Sequence, residues 1–141
     1  MPRCAVTRRL HFNAAHRLSN PRFTDAENDR VFGVCNNPNY HGHNYNLDVT
    51  VEGEIDPATG YVMDINVLKE RVEAAVVRQL DHKNLNLDVP WFRDLNPTAE
   101  NIAVVCWRML VPAVAPARLK RIRLWETERN YVDYDGSDDG T

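Results

Sequence analysis

The chain has 141 residues, with 17 Lys and Arg against 20 Asp and Glu and a formal net charge of −3. That length buries one sizeable core, and the ordinary globular composition argues for a single domain over residues 1–135 with a small, acidic, disordered tail at 136–141. A nearly balanced charge without a basic block argues against nucleic acid or an acidic membrane as partner, and no apolar run is long enough for a transmembrane helix.

Residues 4–12 read as a strand with Cys4, Val6, Leu10 and Phe12 on one face, interrupted by Arg8. Continuing that parity without a bulge brings Ala14 and His16 to the same face; His11 has the opposite parity and is read as a surface residue. A long connection, residues 17–34, holds a short helix that opens on a capping box, Thr24 with Glu27, and ends at Phe32-Gly33. It delivers Cys35, a thiol beside paired asparagines rather than in an apolar run. Cys35 can be an inert thiol or a reactive one.

The next stretch is Cys35-Asn36-Asn37-Pro38-Asn39-Tyr40-His41-Gly42-His43-Asn44-Tyr45. If a strand starts at His41, His41 and His43 share a face with Leu47, Val49 and Val51, because successive side chains alternate. Two imidazoles on one face are half of a metal site; the other reading is a turn with two solvated imidazoles. Gly42 between them would allow close backbone approach. Residues 56–60, Asp-Pro-Ala-Thr-Gly, make a turn, and 61–63 would return as the second strand of a hairpin. A helix over 64–80 follows, with Ile65, Leu68, Val72, Ala75, Val76 and Leu80 on its core face.

Asp81-His82 comes next. It is either a helix stop with a favourable imidazolium or a proton relay in which the carboxylate orients the imidazole. The relay needs an irregular backbone, since adjacent strand residues point apart. Residues 85–97 read mostly as loop. Thr98 is an N-cap with Glu100 in the first turn of a helix over 99–110, where Cys106 is core. A strand over 119–126 puts Glu126 on the apolar face of Ile122 and Leu124: a carboxylate there either sits at the sheet end in water or binds a cationic or N–H-rich ligand. Residues 131–134 close the fold. Runs of strands with segregated helices argue for an α+β fold, an antiparallel sheet covered on one face.

Three histidines from two strands, His16, His41 and His43, match a catalytic zinc, which takes three protein ligands and keeps one position open. Cys35 as a fourth ligand would close the site. As a thiolate favoured by a nearby cation it would instead serve as a general base, and Asp81-His82 would be a second proton-transfer group. This set suits proton shuffling beside a carbonyl, an isomerisation or elimination on a hydroxylated substrate. The three cysteines, at unrelated spacings, give no disulfide framework, and MPRCAVTRRL holds no apolar signal core, so a reducing cytoplasmic location is expected.

The residues resemble the 6-pyruvoyl-tetrahydropterin synthase family over almost the whole chain. The matching pieces are Phe12-x-Ala14-x-His16-Arg17-Leu18, then Phe32-Gly33-x-Cys35-Asn36-Asn37-Pro38-Asn39-x-His41-Gly42-His43-Asn44-Tyr45, and Gly53-Glu54-Ile55-Asp56-Pro57-x-Thr59-Gly60-x-Val62-Met63. Further on come Leu80-Asp81-His82-Lys83-Asn84-Leu85, Pro97-Thr98-x-Glu100-Asn101 and Glu126-Thr127. The resemblance implies a tunnelling fold, a four-stranded antiparallel sheet with two helices packed on one face, assembled as a homohexamer of two stacked trimers with active sites at interfaces. It implies conversion of 7,8-dihydroneopterin triphosphate to 6-pyruvoyl-tetrahydropterin with loss of triphosphate. Within it, His16, His41 and His43 would bind zinc, Cys35 would accept a proton, and Asp81 and His82 would form the relay. Glu126 would anchor the pterin's guanidine-like edge, and Thr98 and Glu100 would lie near the pterin pocket.

The chain departs from the animal-type pattern at Tyr40, where that pattern has Gly. The sister activity, 6-carboxy-tetrahydropterin synthase of queuosine biosynthesis, shares substrate, fold and zinc triad. The five residues between Cys35 and His41 favour the pyruvoyl branch. A non-catalytic pterin- or zinc-binding member would need the histidines and Glu126 but not Cys35, Asp81 or His82.

Overall fold

Period-two alternation of apolar and polar residues builds the two longest strands. β1 (Arg3–His16) buries Leu10, Phe12, Ala14 and His16, and β2 (His41–Glu54) buries Tyr45, Leu47, Val49 and Val51. A computed structural model, which describes residues 1–139, pairs them antiparallel from Arg3 opposite Glu54 to His16 opposite His41 with no register shift. The chain leaves β1 through α1 (Asp25–Phe32), which carries the expected capping box, and a 3₁₀ turn, Gly33–Asn36.

After β2, a continuous helical run over 65–80, here α2, starts from the N-cap Asp64, whose carboxylate accepts the Asn66 N–H at 2.8 Å. A short strand β3 (Lys83–Asn84), a single turn α3 (Leu85–Asp88) and a 3₁₀ turn (Pro90–Phe92) lead to α4 (Ala99–Leu110), capped by Thr98. β4 (Arg118–Trp125) and β5 (Tyr131–Tyr134) complete the sheet in the order β3-β1-β2-β4-β5. The two long helices bury Leu68, Val72 and Val76, and Ile102, Val105 and Cys106, in one core with the apolar strand face. The opposite face is polar: Arg9 makes a paired contact with Asp48 at 2.6 and 3.0 Å, and Asp48 also accepts the Trp125 indole N–H at 3.0 Å.

The α+β class holds, but the expected four-stranded antiparallel sheet with two helices is corrected to a five-stranded mixed sheet with four helices among the described residues. β1, β2, β4 and β5 are the antiparallel part; β3 runs parallel to β1, pairing Ala14 and Ala15 with Lys83 and Asn84. A two-residue strand is too short to show a period, which is why the pattern hides it. Residues 61–63 form no strand either. β1 and β4 already occupy both sides of β2, and the Asp56 carbonyl closes the turn by accepting the N–H groups of Thr59 and Gly60 at 3.2 and 2.7 Å. Within 85–97, expected as loop, Asn84 caps the turn α3 by accepting the Leu87 N–H at 3.2 Å. Near the C-terminus Gly136, at φ 82°, packs against the Trp107 indole so closely that any Cβ would clash, and Arg108 pairs with Asp139 at 2.9 Å. Residues 140–141 of the expected tail lie outside the described residues.

The register is testable by parity. Leu47→Ala, on the buried face, is expected to lower unfolding free energy by about 3 kcal/mol in chemical denaturation, and Asn46→Ala, on the other face, by no more than about 0.5 kcal/mol. Equal losses at both positions would contradict the assigned faces.

Candidate metal centre

The ladder between β1 and β2 makes the site. His16 is the last residue of β1 and stands directly across from His41, the first of β2, while His43 stands across from Ala14. All three imidazoles therefore reach the apolar face at one end of the sheet, as the parity of both strands predicts. One nitrogen of each ring lies within 4.8 Å of the others. The ring centroids are 4.5 to 5.1 Å apart, with the planes steeply inclined. His16 Nε2, both His41 nitrogens and His43 Nε2 are buried without a hydrogen-bond partner. Buried polar atoms are nearly always satisfied, so a convergent group of orphaned lone pairs calls for a cation. Three neutral imidazoles at this spacing can hold a metal ion.

His16 is the most buried of the three. Its side chain is fully buried, and Nδ1 donates to the Pro97 carbonyl at 2.7 Å, which leaves the Nε2 lone pair facing the other two rings. Burial pushes its pKa down to about 4, against the opposing effect of the Pro97 bond and with added repulsion from His41 and His43. Burial, then His43, also lowers His41, while Glu126 acts the other way. The ring is thus kept neutral, the state in which it can donate a lone pair.

The Tyr45 hydroxyl lies 3.4 Å from His16 Nδ1, and burial, followed by the charge of Glu126, raises its pKa. Glu126 lies one step beyond the last β2–β4 pair, Asn46 with Trp125, and shares the face of Ile122 and Leu124. It is half-buried at the same end of the sheet, and its charge acts on His41 and on the Tyr45 hydroxyl. Thr98 caps α4, accepting the Asn101 N–H at 3.1 Å, and follows Pro97, the residue that orients His16; Glu100 is exposed in the first turn. Gly42 is not required for space: a Cβ there would stand 3.4 Å from the Ala14 carbonyl oxygen, an ordinary contact.

Cys35 is half-buried in the 3₁₀ turn that precedes β2. Asp81 and His82 do interact, His82 Nδ1 to Asp81 Oδ2 at 2.9 Å, through the irregular backbone the relay requires: His82 has φ 61°. Asp81 also accepts the Asn13 N–H at 2.9 Å, the main cause of its lowered pKa, and the His82 N–H donates to the Asn13 carbonyl at 2.6 Å. The pair is fastened to the edge of β1 and faces solvent, with the His82 side chain 83% exposed. Its hydrogen bonds do not reach the histidine cluster. Two features were not foreseen. Tyr40, at φ 67°, sits in the left-handed region immediately before His41, where a bulky residue is strained. The Pro97 carbonyl orients His16 from 81 positions away, and no local pattern announces it.

A family model described as 6-pyruvoyl tetrahydropterin synthase matches residues 5–137. The 6-pyruvoyl tetrahydrobiopterin synthase of Homo sapiens is 50% identical over 131 residues, covering 93% of this chain and 90% of that one. The protein of that name from Drosophila melanogaster is 44% identical, covering 96% of this chain and 81% of the other. The structure of Caenorhabditis elegans 6-pyruvoyl tetrahydropterin synthase superposes with a TM-score of 0.92 at 39% identity, over 97% of this chain and 98% of that one. The chain belongs to the 6-pyruvoyl tetrahydropterin synthase family.

Proposed function

We propose that this chain is a zinc-dependent lyase that converts 7,8-dihydroneopterin triphosphate to 6-pyruvoyl-tetrahydropterin with release of triphosphate, in tetrahydrobiopterin-type pterin biosynthesis. The observation that carries the reading is the convergence of His16, His41 and His43, beside Glu126, in a chain half identical to a synthase of that name. His16, His41 and His43 would hold zinc, which when bound supplies a Lewis acid for the oxygens of the substrate side chain. Glu126 accepts N–H bonds from the guanidine-like edge of the pterin, a use that fits a carboxylate on an apolar strand face. Cys35 takes up a proton from the side-chain carbon, and the Asp81–His82 pair carries protons to and from the side-chain oxygens. Thr98 and Glu100 border the pterin pocket, since the start of α4 touches His16 through Pro97.

The working assembly in this reading is a homohexamer, a dimer of trimers with shared sites. Two observations support it. Among the described residues the outer edge of β1 is paired only by β3 at Ala14 and Ala15, which leaves most of a 14-residue strand with an open edge of the kind that joins another sheet. His82 also faces outward, as a relay serving a substrate held partly by a neighbouring subunit would.

Incubation of the zinc-loaded protein with 7,8-dihydroneopterin triphosphate, followed by mass analysis, is expected to yield triphosphate and the 6-pyruvoyl product; a 6-carboxy product with acetaldehyde would move the chain to the sister activity. Cys35→Ala is expected to reduce turnover by roughly 10²-fold or more while bound zinc, measured by atomic absorption, persists. Unchanged turnover would remove Cys35 from its role. The metal-free protein should also be acid-sensitive. His16 titrates near 6.5 when unfolded and at about 4 when folded, so its contribution is fully present above 6.5 and is lost as pH falls toward 4. Denaturation between pH 4 and 6.5 should show that slope, and His16→Gln should flatten it; an identical slope in the variant would refute the assignment.

A further inference from the structure

β1 ends at His16, yet the next two residues remain held on both sides. On one side Asn86 of α3 grips the Arg17 backbone at both polar groups: the Arg17 N–H donates to Asn86 Oδ1 at 2.8 Å, and Asn86 Nδ2 donates to the Arg17 carbonyl at 2.9 Å. β3 pairs Lys83 and Asn84 with Ala14 and Ala15, so the Asn86 amide extends that parallel pairing past the end of the strand with a side chain in place of backbone. On the other side the Leu18 N–H donates to the Cys35 carbonyl at 2.8 Å, Asn36 Nδ2 donates to the Leu18 carbonyl at 2.8 Å, and Arg17 Nε donates to the Asn36 carbonyl at 2.9 Å. Three hydrogen bonds thus tie residues 35–36 to the two residues that follow His16.

Apolar packing does not hold this turn. Gly33, at φ 56°, has nothing within 4 Å of where a Cβ would be, and Val34 is 89% exposed. Asn36, 5% exposed, is the buried residue of the turn, and its amide is aimed into the clamp. The backbone that carries Cys35 is therefore held to the end of β1 by polar contacts of Asn36, Arg17 and Leu18. We infer that Asn36 is a positioning residue that fixes the Cys35 thiol relative to the His16 end of β1, with Asn86 buttressing the same segment from the opposite side. This rests on the role of Cys35 proposed above. Proton transfer depends steeply on donor–acceptor placement, and a misplacement of about 1 Å can cost on the order of 10²-fold.

The test is a double-mutant cycle on zinc-loaded protein with 7,8-dihydroneopterin triphosphate. Asn36→Asp keeps the side-chain volume and removes the Nδ2 donor. In the wild-type background it is expected to lower kcat by about 10²-fold with KM within about twofold and zinc content unchanged; in a Cys35→Ala background it is expected to cause little further loss, because a residue that acts only through Cys35 has nothing left to position. Asn28→Asp is the matched control. Asn28, 8% exposed, grips the Asn20 backbone in the same two-ended way at 2.8 and 3.1 Å, with neither bond made to residues 35–36, and is expected to leave kcat within about threefold. If Asn36→Asp does not retain zinc, Asn86→Ala is read in the same cycle. Equal losses in both backgrounds, or an equal loss in Asn28→Asp, would overturn the inference and leave the role of Cys35 standing. An active Cys35→Ala protein would instead overturn that role.

Discussion

The β1–β2 register is the constraint on which the rest depends. A side-chain period of two means that a slip of one residue would send His41 and His43 to the polar face and break the set with His16. Two kinds of contact forbid the slip. On the core side Phe12 stacks on Tyr45 with ring centroids 5.0 Å apart, and Leu47, Val49 and Val51 are fully buried. On the other side, cross-strand partners that match only in this register include Arg9 with Asp48 and the Thr7 and Thr50 hydroxyls, 2.7 Å apart. Most of these contacts lie further along the ladder, and Tyr45, whose hydroxyl is 3.4 Å from His16 Nδ1, links them to the imidazoles. The three imidazoles meet because the whole ladder is pinned along its length.

Given that ladder, burial does electrostatic work. A metal ligand must be neutral to offer its lone pair, and a solvated imidazole is partly protonated near neutrality. Seating His16 in the core against Pro97 removes water and disfavours the charged form. Pro97 then decides which nitrogen keeps its hydrogen. The fold thus prepares tautomer and charge together, using a helix start to supply the carbonyl.

How much of this the residues announce depends on whether the signal is local. The parity of His16, His41 and His43 is legible because it continues clean alternations through Phe12 and Leu47, and Glu126 is legible because it breaks one at Ile122 and Leu124. The capping roles of Thr24 and Thr98 are also written within three residues. The rest is not. β3 has two residues and no period, and 61–63 read as a strand although β2 has no free side to pair with. Pro97 and Asn86 act through contacts 81 and 69 positions apart, fixed only when helices and sheet have docked. Turns such as α3 depend on the Asn84 side chain, which alone resembles any loop asparagine.

The site divides by exposure in a way that chemistry requires. The three imidazoles that could hold a cation sit at the buried end of the ladder. The Asp81–His82 pair, fixed to Asn13 at the strand edge, faces outward, and Cys35 is half-buried between these extremes. In the proposed mechanism a proton carrier must exchange with substrate or solvent, so it would not be sealed as a ligand is; yet it must not wander. The anchoring of Asp81 and His82 through backbone bonds and a carboxylate, rather than by packing, suits that proposed role. His82 shows this most plainly. Its positive φ turns the imidazole back onto Asp81, and its N–H is tied to the Asn13 carbonyl at 2.6 Å, while the ring itself stays open. Rigidity comes from hydrogen bonds to β1, and access from the exposure of the ring.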